Sequence, residues 1–117
     1  MTDMLTIIVN DAAYGSERTW NALRLAKAIL AVKSGVTVFL MGDAVTVAKK
    51  GQNPPEGYYN LEKMLIDLIQ SGAKVLACGT CMTSRGLSKE DLIEGVEKGT
   101  MMILATFIKE SRTTLSF

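Results

Sequence analysis

The amino-acid sequence predicts an α/β domain in which a parallel β-sheet is covered by helices on both faces. Short apolar runs that are typical of buried strands alternate with longer segments of helical periodicity along the chain. Turn-forming residues such as Asn10-Asp11 and Ser34-Gly35 separate these runs. Strands that alternate with helices favour parallel pairing, because each return to the sheet passes through a helix on one of its faces.

Composition limits the class of protein. With 117 residues, of which 48% are hydrophobic, the chain has the size of one folded domain, and we assign residues 1–117 to it. The 13 basic and 12 acidic residues nearly balance, so no nucleic-acid-binding surface is expected, and the Lys49-Lys50 pair is predicted to be solvated. The first residues lack the basic region of a signal peptide, and no apolar run approaches the roughly 20 residues of a membrane span. We therefore expect a cytoplasmic protein without a membrane segment.

The first part of the chain contains two predicted strands and a long helix. Residues 5–9 form the first strand. Ser16 is a suitable N-cap for a helix over residues 17–33, because its hydroxyl can accept a hydrogen bond from a free N–H group of the first turn. The next predicted elements are a second buried strand over residues 36–41 and a short helical turn over residues 42–48.

The longest irregular segment is predicted over residues 49–59, which contain both prolines. Long loops of this kind often cover or shape a site. Asn60 then caps a predicted helix over residues 61–70. A third buried strand is predicted over residues 73–77.

The last part of the chain continues the alternation of strand and helix. Ser88 and Asp91 have the three-residue spacing of a capping arrangement for residues 89–93. Thr100 is the N-cap of a predicted helix over residues 101–111. The remaining predicted strands are a weak one over residues 95–98 and a final one over residues 113–117.

Two cysteines directly after the third strand are the strongest functional feature of the sequence. Cys78 and Cys81 are its only cysteines. In open α/β sheets, reactive groups lie in the crevice at the carboxyl ends of the strands. The backbone N–H groups of the following turn and the positive charge of Arg85 favour a thiolate there. We therefore predict a lowered pKa for the Cys78 thiol and sulfur chemistry as the function.

The cysteine pattern is also compatible with other kinds of site. A C-x-x-C pair between a strand and a helix is typical of dithiol redox proteins, and free cysteines also pack well in apolar cores. A four-thiolate metal site would need two more ligands from another subunit. The absence of histidine excludes Cys-His and Ser-His pairs within the chain, and also histidine ligation of zinc.

The sequence predicts neither a cofactor nor a metal ion. Residues 10–17 join a strand to a helix but contain one glycine, so they are not a dinucleotide-binding motif. The seven methionines are scattered, which is typical of core filling or a subunit interface and not of copper ligation. Asp11, Tyr14 and Asp43 follow the first two strands and are candidates to line the same crevice as the thiols.

With these residues in place, the chain resembles the DsrE/DsrF-like family, which includes YchN-like and TusD-type sulfur-relay proteins. The similarity extends over nearly the whole length, and its most specific part is the pair Cys78 and Cys81 with Arg85-Gly86 after it. Weaker similarity covers residues 10–26, 40–44 and 115–117. The resemblance implies a three-layer α/β/α fold with a five-stranded parallel sheet, and assembly into homotrimers or homohexamers.

The resemblance also implies roles for the cysteines. In the sulfur-relay members, one cysteine after the third strand accepts sulfur as a persulfide and passes it on, and Cys78 stands at that place. Cys81 would be the resolving or second thiol, and Arg85 with nearby N–H groups would stabilise the anion. The expected partners are further copies of the chain, a sulfur donor and a sulfur acceptor. The alternatives are an oligomeric small-ligand-binding or scaffold module with incidental thiols, and a dithiol–disulfide redox protein.

Overall fold

Five parallel strands form one sheet at the centre of the structure, a computed structural model that describes residues 3–117. The order across the sheet is β4-β3-β2-β1-β5, and all neighbours are parallel. The strands are β1 (Met4–Val9), β2 (Gly35–Leu40), β3 (Lys74–Cys78), β4 (Glu97–Gly99) and β5 (Thr113–Ser116). The predicted five-stranded parallel sheet is confirmed.

Helices cover both faces of the sheet and complete three layers. Those that the structure describes are α1 (Glu17–Ala31), a first 3₁₀-helix (Gly42–Ala48), α2 (Leu61–Gln70), α3 (Gly79–Ser84), a second 3₁₀-helix (Lys89–Asp91) and α4 (Met101–Glu110). α1 and α2 lie side by side, with Lys27 Nζ 3.3 Å from Asp67 Oδ2. The connection through α4 runs the opposite way across the sheet, from β4 to β5, so its right-handed crossover places α4 on the other face.

The core lies around β2, which is the middle strand of the sheet. Its residues Val38, Phe39 and Leu40 are fully buried. Leu23 of α1 and Leu65 of α2 belong to the same apolar cluster, which explains the helical periodicity of their segments. Among residues 3–117, no helix has both the length and the apolar character needed to cross a membrane.

Two element boundaries differ from the predicted ones because a residue there adopts a left-handed backbone conformation. α1 ends at Ala31 and not at residue 33, since Lys33 has a φ of 72°. β4 begins after residue 96, because Gly95 has a φ of 97°. A Cβ atom at Gly95 would lie 2.8 Å from Ile69 Cγ2, so this close approach to α2 requires glycine.

Polar side chains begin the helices as predicted. The side chains of Ser16, Asn60 and Thr100 each accept a hydrogen bond from a backbone N–H group of the first turn, at 3.2, 3.0 and 3.1 Å. Ser88 and Asp91 form the predicted capping arrangement, in which the Ser88 N–H donates to Asp91 Oδ2 at 2.8 Å. The turn that follows is a three-residue 3₁₀-helix, shorter than the predicted segment.

Candidate functional site

Both cysteines lie at the carboxyl edge of the sheet, where β3 meets α3. Cys78 is the last residue of β3, and Cys81 lies in the first turn of α3. The end of the strand agrees with the sequence prediction, but a six-residue helix replaces the expected turn. Met82, 1% exposed, is the one residue of this helix that is buried in the core, and a single residue leaves too little periodicity to indicate a helix in the sequence.

The two thiols are in direct contact. The Sγ atoms of Cys78 and Cys81 are 2.9 Å apart, so one thiol donates its hydrogen to the other sulfur. Residues three apart at the start of a helix face the same side, which brings the two side chains together. Cys78 is 6% exposed and Cys81 is half-buried. A reacting molecule therefore reaches the pair from the side of Cys81.

The end of β2 supplies a hydrogen-bond donor to this pair. β2 lies beside β3, with Leu40 opposite Ala77, so the residues that follow the two strands meet at the same edge. The Gly42 N–H donates to the Sγ of Cys81 at 3.2 Å. Gly42 has a φ of 60°, a conformation that glycine adopts without steric cost. The donor is thus a backbone group whose position the sheet determines.

Arg85 follows α3 and connects it to the first 3₁₀-helix. Its Nη2 and Nε donate to Asp43 Oδ1 at 2.7 and 3.2 Å, and its Nη1 donates to the carbonyl oxygen of Cys81 at 3.1 Å. The guanidinium therefore bonds to the backbone of Cys81 and acts on the sulfur as a nearby positive charge. Asp43 neutralises part of that charge.

These surroundings separate the pKa values of the two thiols. Burial raises the pKa of Cys78, and so does its hydrogen bond with Cys81, whereas the backbone N–H groups of Cys81 and Thr80 act in the opposite direction. The hydrogen bond from Cys78 lowers the pKa of Cys81, and the Gly42 N–H and the charge of Arg85 lower it further. The prediction of a lowered pKa for Cys78 is therefore wrong, because the negative charge is better stabilised on Cys81.

Of the three other residues predicted to line the crevice, Asp43 alone bonds to a residue of the thiol site within the part of the chain that the structure describes. Asp11 accepts a hydrogen bond from Ser16 Oγ at 2.6 Å and so supports the start of α1. Tyr14 donates from its hydroxyl to Gln52 Oε1 at 2.7 Å. Asp11 and Tyr14 therefore organise neighbouring loops.

Comparison with known proteins identifies the family. The sequence model of the DsrE/DsrF-like family matches residues 3–117. The chain belongs to the DsrE/DsrF-like family. The resemblance inferred from the cysteine segment is thereby confirmed.

Relatives of this DsrE/DsrF-like chain match it along almost its whole length. Protein YchN of Escherichia coli K12 is 43% identical over 115 residues, which are 97% of this chain and 97% of YchN. The uncharacterized protein MK0008 of Methanopyrus kandleri is 46% identical over 115 residues, which are 98% of this chain and 94% of that protein. The crystal structure of the ychN protein from E. coli has a TM-score of 0.92 and 41% identity, and covers 100% of both chains.

Gly42 is the residue of the site that reasoning from the sequence missed in this DsrE/DsrF-like chain. The sequence indicated Gly42 as the start of a short helical turn and as part of the family similarity over residues 40–44, but not as a partner of the thiols. Its contact with Cys81 depends on β2 being the neighbour of β3, since parallel neighbours end at the same edge. A glycine directly after the strand that precedes the cysteine strand was the available signal.

Proposed function

We propose that the chain is a small cytoplasmic sulfur-relay protein that accepts sulfur as a persulfide on Cys78 and passes it to an acceptor. The observation that carries this proposal is the contact, at 2.9 Å, between a buried thiol and a more acidic one. Membership of a family that includes sulfur-relay proteins supports the same function. Thiols in the cytoplasm stay reduced, which such chemistry requires.

In a chain without histidine, Cys81 supplies the base nearest to the Cys78 thiol. Its thiolate lies within hydrogen-bond reach of the Cys78 thiol and takes the proton from it. The Cys78 sulfur attacks the outer sulfur of a donor persulfide, R–S–SH. A new bond joins Cys78 to that sulfur, the S–S bond of the donor breaks, and the donor leaves as the thiolate RS⁻. The products are the Cys78 persulfide and the Cys81 thiol, so no oxidant is consumed.

Polar groups on two sides stabilise negative charge on the pair. The N–H groups of Thr80 and Cys81 favour an anion at the sulfur of Cys78, although burial outweighs them in the free thiol. The Gly42 N–H and the charge of Arg85 favour an anion at Cys81. A persulfide or thiolate on either residue therefore has a donor nearby.

Cys81 also provides a route for release of the sulfur. In the loaded protein, the Cys81 thiolate can attack the inner sulfur on Cys78, which forms a Cys78–Cys81 disulfide and expels hydrosulfide. Direct transfer to an acceptor thiolate leaves both cysteines reduced. The state of the protein after discharge therefore distinguishes release from transfer.

A dithiol–disulfide redox protein is a second candidate, and the contact between the thiols favours it. It predicts an intramolecular disulfide with a potential near that of the cytosol, formed without any sulfur donor. An oligomeric small-ligand-binding or scaffold module with incidental thiols is the remaining alternative. It predicts that both thiols are alkylated as slowly as free cysteine in mildly acidic solution.

The proposal includes assembly of the chain with itself, as a homotrimer or homohexamer. α4 supports this, because it exposes Met101 (55%), Met102 (78%) and Ile108 (39%). Several large apolar side chains exposed on one short helix are typical of an interface. Analytical ultracentrifugation tests the assembly: we expect an oligomer that Met102→Lys dissociates. A monomeric wild-type protein would contradict it.

The carrier function is tested by intact mass spectrometry after the reduced protein is incubated with a cysteine desulfurase and cysteine. We expect the wild type to gain the mass of one sulfur atom, which a reductant removes. Cys78→Ser should not load, and Cys81→Ser should load slowly because its base is missing. Full loading of Cys78→Ser, with none in Cys81→Ser, would move the carrier to Cys81. Loss of two hydrogens without a gain of sulfur would favour the redox protein.

A further inference from the structure

A cavity of about 400 Å³ lies between residues 49–59 and the loop that precedes α1. Its volume is in the range of pockets that hold small organic molecules. Neither cysteine lines it, so it is separate from the thiol site. The residues on which binding would depend are Tyr14, Tyr58, Pro54, Pro55, Lys49 and Lys50.

Internal hydrogen bonds hold the cavity open in its present shape. The carboxylate of Glu62 accepts the N–H groups of Gly51 and Gln52 at 3.0 and 2.8 Å. The Tyr14 hydroxyl donates to Gln52 Oε1 at 2.7 Å and accepts the N–H of Leu61 at 3.0 Å. Tyr14 has a φ of 62°, which is unfavourable for an aromatic residue, and these bonds keep it there. The cavity is therefore formed before any ligand arrives.

The cavity carries positive charge that its own lining does not neutralise. Lys49 and Lys50 line it, and no carboxylate of residues 3–117 is among its lining side chains. The acids near these lysines already have other partners: Glu62 accepts the N–H groups of Gly51 and Gln52, and Asp91 accepts the N–H and the hydroxyl of Ser88 at 2.8 and 3.1 Å. The charges of Lys49 and Lys50 also help to lower the pKa of Asp91. Neither lysine forms an ion pair with the carboxylates that the structure describes. An anion in the cavity would supply the direct ion pair that neither lysine forms with these carboxylates.

Aromatic rings also line the cavity. The Tyr58 ring is half exposed and stacks on Tyr59, with ring centroids 4.7 Å apart and planes 18° apart. Tyr59 in turn stacks on Trp20 at 5.1 Å, so the rings behind Tyr58 are fixed. A flat ring in the cavity would extend this stack at little cost in side-chain entropy. Two proline side chains complete the apolar lining.

We propose that this cavity binds a small organic anion with a flat unsaturated ring. The ring contacts the tyrosines and prolines, and the anionic group lies at Lys49 and Lys50. This site goes beyond the sulfur-relay function, because it uses no atom of Cys78 or Cys81.

The first 3₁₀-helix separates the two sites. Its seven residues span about 12 Å at the rise of a 3₁₀-helix, with Gly42 at the thiol end and Lys49 just beyond the other end. Substitutions at the lysines therefore leave the sulfur chemistry in place. This makes the binding proposal testable independently of the carrier proposal.

Isothermal titration calorimetry of the full chain with naphthalene sulfonate tests the site. We expect saturable binding of one molecule per chain. The neutral isostere naphthalene sulfonamide should bind about tenfold more weakly, because it lacks the charge. The double variant Lys49→Ala/Lys50→Ala should lose about the same factor, and Tyr58→Ala should also bind more weakly.

The matched control is the double variant Lys63→Ala/Lys109→Ala, which removes two exposed lysines from α2 and α4. We expect its affinity for naphthalene sulfonate to equal that of the wild type. Absence of saturable heat would overturn the proposal, as would equal affinity of the Lys49/Lys50 variant or of the neutral isostere. Sulfur loading of the same variants, followed by mass, should be unchanged, so that failure here is distinct from failure of the carrier function.

Discussion

The thiol site and the tyrosine-lined cavity lie at opposite ends of the first 3₁₀-helix, and different groups hold them in place. At the thiol site, backbone groups do most of the positioning: the Gly42 N–H bonds to the Cys81 sulfur, and the Cys81 carbonyl oxygen holds Arg85. At the cavity, the side chains of Gln52 and Glu62 hold the backbone. Side-chain substitutions at the thiol site should therefore change its chemistry and leave its shape intact. Substitutions of the side chains that hold the cavity should change the shape of the cavity.

The largest expected effect is the loss of stability in Gln52→Ala. The Gln52 side chain accepts from the Tyr14 hydroxyl and donates to the carbonyl oxygens of Val47 and Lys49, at 2.7, 2.8 and 2.9 Å. Its loss leaves partly buried groups without partners, which should lower the free energy of unfolding by about 2 kcal/mol. Urea unfolding measures this. Asn53→Ala, at an exposed neighbour, is the control and should change stability by less than about 0.5 kcal/mol. Equal effects of the two substitutions would show that the Gln52 side chain does not hold the cavity in shape.

The second effect concerns the pH dependence of the thiols. Because the pKa of Cys81 is lowered and that of Cys78 is raised, the thiolate of Cys81 forms at lower pH. At neutral pH, iodoacetamide should label Cys81 about tenfold faster than Cys78, and the difference should shrink as the pH rises. Peptide mass mapping of a labelling time course measures this. In urea-unfolded protein both should react alike, whereas faster labelling of Cys78 in the native protein would contradict the assignment.

The smallest effect is expected for Arg85→Gln. Removing the guanidinium raises the pKa of Cys81, so its alkylation at neutral pH should slow by about threefold, a modest factor because the pair with Asp43 is solvent-exposed. Arg112→Gln is the control, since Arg112 pairs with Asp3 at 3.1 Å, away from the thiols. An unchanged rate in Arg85→Gln would show that the hydrogen bond from Cys78 and the backbone donors set the reactivity of Cys81 without the charge of Arg85.

Elements with a strong local signal could be predicted from the sequence. The residues Leu61, Leu65 and Leu68 of α2 recur at helical spacing and are all buried in the structure. The apolar run of β2 is likewise buried along its length. α3 escaped prediction because its six residues contribute one buried side chain.

Predicting the two sites requires contacts between residues that are far apart in the sequence. The predicted end of β3 gave the correct position of Cys78 in the fold. The hydrogen bond from Gly42 to Cys81 could be predicted only with knowledge of the strand order. The irregular segment over residues 49–59 was foreseen, whereas its cavity depends on the hydrogen bond between Tyr14 and Leu61, which are 47 residues apart. The direction of the pKa shift at Cys78 depends on burial and on the contact with Cys81, and both arise from tertiary packing.

Because the Gly42 N–H donates to Cys81 Sγ, the Gly42 amide proton reports the charge on that sulfur. Its NMR resonance should move downfield when the accepting sulfur becomes anionic, because charge-assisted hydrogen bonds are shorter and stronger. Disulfide formation removes that anionic acceptor and should move the resonance back. One amide resonance therefore shows when the Cys81 thiolate forms and when protonation during loading, or disulfide formation, removes it.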